Sequence, residues 1–99
     1  MSIIDVIFSR TKRHFNESFD TAVFTCVHVI NEESPILRVV HDKDGDWQFL
    51  CGCEHSVEDA RVISLGEALG LDRSVSELAK MKKGKIAERT NKNSNWIIK

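Results

Sequence analysis

Residues 36–51 read ILRVVHDKDGDWQFLC, and this stretch decides how the rest of the chain is read. On both sides of Asp44-Gly45 the residues are rich in β-branched and aromatic side chains, as half-buried strands are. Aspartate followed by glycine tolerates the positive φ angles of a type I′ turn, the strongest short-range hairpin signal. Residues 36–41 and 47–51 are therefore expected to pair as antiparallel strands.

Upstream, residues 21–30 are again rich in valine, phenylalanine and threonine. Read as one central strand, they place Phe24, Cys26, His28 and Ile30 on one face and Val23, Thr25, Val27 and Val29 on the other. A polar turn follows and ends at Pro35, the only proline. Nearer the N-terminus, Ser2 is a suitable cap for a helix. Its apolar residues Ile3, Ile4, Ile7, Phe8 and Phe15 share an arc of about 140° when each residue advances ~100°. Downstream, residues 52–56 look irregular and the apolar pattern then becomes helical. Ser64 with Glu67, and Ser74 with Glu77, match capping boxes. Gly84 suits a helix stop, and residues 85–90 and 95–98 read as a last hairpin. The expected fold class is α+β: one domain over residues 1–99, an antiparallel sheet of about five strands, an N-terminal amphipathic helix and two short helices.

Composition agrees with one globular core, because 41% of the 99 residues are hydrophobic and 29% charged, with one proline and five glycines. The net charge of −1 conceals a bipolar distribution: residues 17–59 carry ten acidic and two basic side chains, residues 80–99 one acidic and seven basic. Such polarity favours oriented pairing with a protein partner or with a second copy of the chain, although a solvated charge run is the commoner reason for it. No stretch approaches the ~20 apolar residues of a membrane helix. Asp5 interrupts the first apolar residues and Arg10, Lys12 and Arg13 follow rather than precede them, unlike a secretory signal. The expectation is a cytoplasmic protein with no membrane partner, whose three cysteines are thiols or ligands rather than disulfides.

Cys26, His28, Cys51 and His55 are the soft ligands from which a zinc site would be built. Spacing resists the simplest version, since zinc knuckles use Cys-x₂₋₄-Cys whereas Cys51 and Cys53 are separated by one residue. Residues i and i+2 of a strand lie ~6.8 Å apart, yet two thiolates on one ion sit within ~4 Å, so Gly52 would have to bend the chain. The competing reading makes Cys26 and Cys51 small buried hydrophobes, and no resident cofactor is then expected. Asp42, Asp44 and Asp46 alternate like calcium ligands, but Trp47 stands where a calcium loop needs glycine and Cys53 where it needs glutamate. No Cys-x-x-Cys, Gly-x-Ser-x-Gly, P-loop or dinucleotide-binding pattern is present, so no enzyme is expected. Lys80, Lys82, Lys83, Lys85, Arg89 and Lys92 with Trp96 would suit nucleic acid, but the slightly acidic chain and the apolar flanks of Trp96 speak against it.

Phe24-Thr25-Cys26, His28-Val29, His41-Asp42, residues 45–52, His55, Glu58-Asp59-Ala60, Leu78-Ala79, Gly84 and Ala87-Glu88-Arg89 together resemble a family of small bacterial proteins of unassigned function. The resemblance covers most of the chain and leaves out the N-terminal segment; Cys53 departs from its pattern. More distantly, the order of Trp-x-Phe, glycine, two short helices, glycine and Glu-Arg is similar to the immunity-protein-33-like domain. That resemblance implies a protein that neutralises bacterial toxins by binding rather than catalysis, and it supplies no functional residues. The functional expectation is thus a non-enzymatic, immunity-like protein-binding module. Trp47 would be its aromatic anchor, although a core role is the commoner one for such a residue, and Glu54, His55, Glu58 and Asp59 would be weaker contact residues on an acidic surface spanning residues 42–59. The alternative is a zinc protein using Cys26, His28, Cys51 and His55.

Overall fold

Strand β2 (Arg38–His41) pairs antiparallel with β3 (Trp47–Leu50), Val39 opposite Phe49 and His41 opposite Trp47. Strand alternation buries those four side chains on one face and leaves Arg38, Val40, Gln48 and Leu50 half-buried on the other. The computed structural model describes residues 15–53 and 56–99. The expected N-terminal helix, all but its last apolar residue Phe15, and the candidate residues Glu54 and His55 lie outside them.

The hairpin turn differs from the type I′ expectation. Of its residues only Gly45 has a positive φ, +96°. Asp42 closes the loop instead: its carboxylate accepts from the Asp44 and Asp46 amides at 2.9 and 3.0 Å, and its own amide donates to the Asp46 carbonyl at 2.9 Å. An aspartate that bonds its own backbone two residues on is a local turn former, so one left-handed glycine suffices here.

The sheet corrects the antiparallel, five-stranded expectation. Among the described residues six strands lie in the order β4-β1-β3-β2-β5-β6, with β1 (Ala22–Cys26), β4 (Ala60–Ser64), β5 (Lys85–Glu88) and β6 (Ile97–Ile98). Strand β1 runs parallel to β3, Thr25 level with Phe49, so the sheet is mixed. Strand β4, which the sequence reading missed, pairs antiparallel with β1 along its whole length. It lies at an edge, with Ala60, Arg61 and Val62 exposed, and an exposed edge strand carries no apolar alternation. The final hairpin, β5 with β6, is antiparallel as expected.

Residues 21–30 are not one strand. Strand β1 stops at Cys26 and a single helical turn, α1 (Val27–Ile30), follows. Its β-branched residues favour a strand, but Cys26 makes the last ladder pair, with Ala60. Beyond it the backbone finds its partners locally: the Asn31 amide donates to the Val27 carbonyl at 2.9 Å, and the Glu33 amide to the His28 carbonyl at 3.0 Å.

Helix α2 (Leu65–Leu71) starts at the expected capping box, the Glu67 amide donating to Ser64 Oγ at 3.1 Å and the Ser64 amide to Glu67 Oε1 at 3.2 Å. The second expected box is displaced. A 3-10 helix spans Arg73–Leu78, and Asp72, not Ser74, caps it by accepting from the Ser74 amide and hydroxyl at 2.9 and 2.6 Å. Leu65, Ala68, Val75 and Leu78 join Val23, Val39, Trp47, Phe49 and Ala87 in one buried cluster. Each large apolar side chain so buried contributes ~1.5–3 kcal/mol relative to exposure.

Candidate metal centre

The parallel pairing of β1 with β3 carries both strands to the same end of the sheet, where each finishes close to a cysteine. Cys26 is the last residue of β1, and Cys51 follows the last residue of β3. Both are 1% exposed. His28 belongs to α1, whose helical turn replaces the extended chain that would have carried the imidazole farther along the strand. The two sulfurs and one imidazole nitrogen lie within 4.8 Å of one another, and Cys51 Sγ is 4.0 Å from His28 Nδ1.

Zinc binds thiolate sulfur at ~2.3 Å and imidazole nitrogen at ~2.0–2.1 Å, so neighbouring tetrahedral donors stand roughly 3.5–3.8 Å apart. The present spacing is within about 1 Å of that arrangement, a change that side-chain rotation supplies. The donors are soft, which suits zinc and monovalent copper and disfavours magnesium and calcium. The Cys51 thiol is pushed up from 9.0 to about 11, chiefly by burial, with the Cys53 backbone amide working in the opposite direction and the Cys53 and Cys26 side chains adding smaller upward contributions. Without a cation Cys51 is thus protonated at neutral pH, and a bound cation would reverse that preference by stabilising the thiolates.

Of the zinc set anticipated from sequence, the fold unites Cys26, His28 and Cys51, and His55 lies outside the described residues. The sequence reading required these donors to converge across adjacent strands, and the parallel register of β1 and β3 brings these three to one end of the sheet. Gly52, with φ +83°, supplies the chain bend that the Cys51-Gly52-Cys53 spacing requires.

The surface candidates fare differently. Trp47 is 1% exposed; its ring stacks on His41 at 3.9 Å, meets Phe15 edge-on at 4.9 Å, and donates from Nε1 to Glu17 Oε2 at 2.9 Å. It is a core residue with no free face for an anchor. Glu58 is exposed, while half-buried Asp59 accepts from the Ser56 amide at 3.2 Å in a capping box. Trp96 lies beneath the Arg89 guanidinium, 4.1 Å from its ring centre, and so is engaged within the fold rather than offered to a base. Among the described residues no helix is long and apolar enough to cross a membrane.

No protein family, no curated protein and no solved structure matches this chain.

Proposed function

We propose that this protein binds a soft or borderline transition-metal ion, of the zinc type, through Cys26, His28 and Cys51. One observation carries the reading: three soft donor atoms from two non-adjacent parts of the chain converge within 4.8 Å. Buried cysteines are common as small hydrophobes, but a pair meeting an imidazole in so small a volume has the composition of a ligand set. Elemental analysis of protein purified without oxygen or chelator tests it, with about one zinc per chain expected. Titrating Zn(II) to a hundred times its dissociation constant should add ~2.7 kcal/mol of stability. For a domain of this size that raises the melting temperature by roughly 10–20 °C. Zinc-free protein whose melting temperature ignores added Zn(II) would refute the reading.

A protein-binding role is the second reading, and a different surface favours it. Val57 is 92% exposed beside exposed Glu58, and Phe24 and Val62, 42% and 62% exposed, face each other across β1 and β4. Exposed apolar side chains mark a protein contact surface where they join into one patch rimmed by polar groups. A partner captured equally by wild type and by a Val57→Asp/Glu58→Lys variant would remove this reading.

A further inference from the structure

A cleft of about 650 Å³ opens beside helix α1, at the end of the sheet where β1 finishes and β2 begins. Three separate stretches of chain line it: residues 32–36 with Val29, residues 71–74 where α2 passes into the 3-10 helix, and residues 91–92 after β5. All three are pinned to one buried side chain, since Arg89 donates to the Ile36 carbonyl, to Asp72 Oδ2 and Ser74 Oγ, and to the Lys92 carbonyl. The walls are therefore preformed, as those of most small-molecule sites are, and the volume falls in the ~300–1,000 Å³ range of such sites. The first stretch is also fastened to α1: the Glu32 amide donates to the Val29 carbonyl at 3.0 Å, and the Glu33 and Ser34 amides to the His28 carbonyl at 3.0 and 3.2 Å. Glu32 has φ +58°, a left-handed conformation that few residues other than glycine adopt and that recurs at ligand clamps.

Charge sorts by wall. Glu32 and Glu33 come from the first stretch, Arg73 and Lys92 from the other two, and all four are exposed. None of the ion pairs among the described residues joins these carboxylates to these cations. Asp72, the remaining charge, is already engaged by Arg89. Pro35, Ile36 and Leu71 add apolar surface. A ligand matching such walls carries a cation, an anion and an apolar part. A single amino acid holds both charges on one carbon and cannot face two walls, whereas three extended residues separate them by roughly 10 Å. We propose that the cleft binds a short zwitterionic peptide, its ammonium group against Glu32 and Glu33, its carboxylate against Arg73 and Lys92, and an apolar side chain against Ile36 and Leu71. The site is separate from the metal centre, to which α1 contributes His28 while Val29 lines the cleft, and the inference does not depend on the metal reading.

The probe is the tripeptide Ala-Leu-Ala, titrated into the isotope-labelled full chain and followed by NMR, alongside its N-acetylated and C-amidated forms, each of which lacks one terminal charge. Shift changes should centre on the amides of residues 32–34, 71–74 and 91–92. Blocking either terminus should weaken binding about tenfold, as loss of a charge-assisted hydrogen bond does. A Glu32→Gln/Glu33→Gln variant, altered only at exposed side chains, should lose the same factor toward the free peptide and bind the acetylated form as wild type does. An Arg73→Gln/Lys92→Gln variant should behave likewise toward the amidated form. Equal affinity for all three peptide forms, shifts centred elsewhere, or no shifts at millimolar peptide would each overturn the proposal.

Discussion

Replacing Arg89 with methionine tests what ties the second half of the chain to the sheet. The Arg89 side chain is 1% exposed, and each of its five N–H groups has an acceptor. Nε and Nη2 donate to the Ile36 carbonyl at 3.0 and 2.8 Å, Nη1 to Ser74 Oγ and the Lys92 carbonyl at 2.9 and 3.2 Å, and Nη2 also to Asp72 Oδ2 at 2.5 Å. Methionine keeps the packing of the stem but leaves the Asp72 carboxylate and the Ile36 carbonyl without their cationic donor. Removing one partner of a buried ion pair costs ~3–5 kcal/mol. Asp72 is 20% exposed and keeps the Ser74 amide and hydroxyl, so the low end, about 3 kcal/mol, applies. Against a stability of ~5–15 kcal/mol for such a domain, that is a large fraction. In urea, with a slope near ~2 kcal/mol per molar, the unfolding midpoint should fall by roughly 1.5 M. A shift below about 0.3 M at unchanged slope would mean that the network holds nothing together. Arg38→Met is the contrast: Arg38 meets Glu88 at 3.8 Å with the two side chains 42% and 36% exposed, and such pairs contribute ~0–1 kcal/mol.

Gly52→Ala should destabilise the metal-free protein by about 1–2 kcal/mol, because alanine resists a φ of +83°, and thermal melting measures it. Iodoacetamide followed by mass spectrometry should modify Cys53 first and Cys26 and Cys51 only on unfolding, given their burial; modification of all three at one rate would contradict the fold at this end of the sheet. Glu88 is held below the usual carboxylate range by its hydrogen bond to Lys99, by the charge of Lys99 and, more weakly, by that of Arg38. Lys99→Ala should let its carboxyl rise, as an NMR titration would show. The lowered value in the folded state means that any stabilisation by this exposed pair is present above the carboxyl's ordinary range and is lost as pH falls through the folded value.

What the sequence made legible was local. The β2–β3 hairpin, the Ser64 capping box and the closing β5–β6 hairpin each follow from contiguous residues. Strand β4 did not, because an edge strand with Arg61 and Val62 in solvent has no buried face to imprint alternation. The helical turn α1 did not, because Val27, Val29 and Ile30 favour extended backbone and only the end of the ladder at Cys26 overrides them. The donor residues were readable as types, but their meeting depended on a parallel register between strands that are not consecutive. For Trp47 the core is the favoured role over an anchor at the edge of the irregular loop, and strand alternation turns it inward against His41 and Phe15.

The side-by-side run of β1 and β3 also orders events in time. A hairpin such as β2–β3 closes quickly, because its halves are neighbours along the chain, whereas a ladder joining Thr25 to Phe49 must first close a loop through all of β2. The sulfurs of Cys26 and Cys51 therefore meet only after that slower closure. Uptake of an ion during refolding would lag behind hairpin formation and report the completion of the sheet.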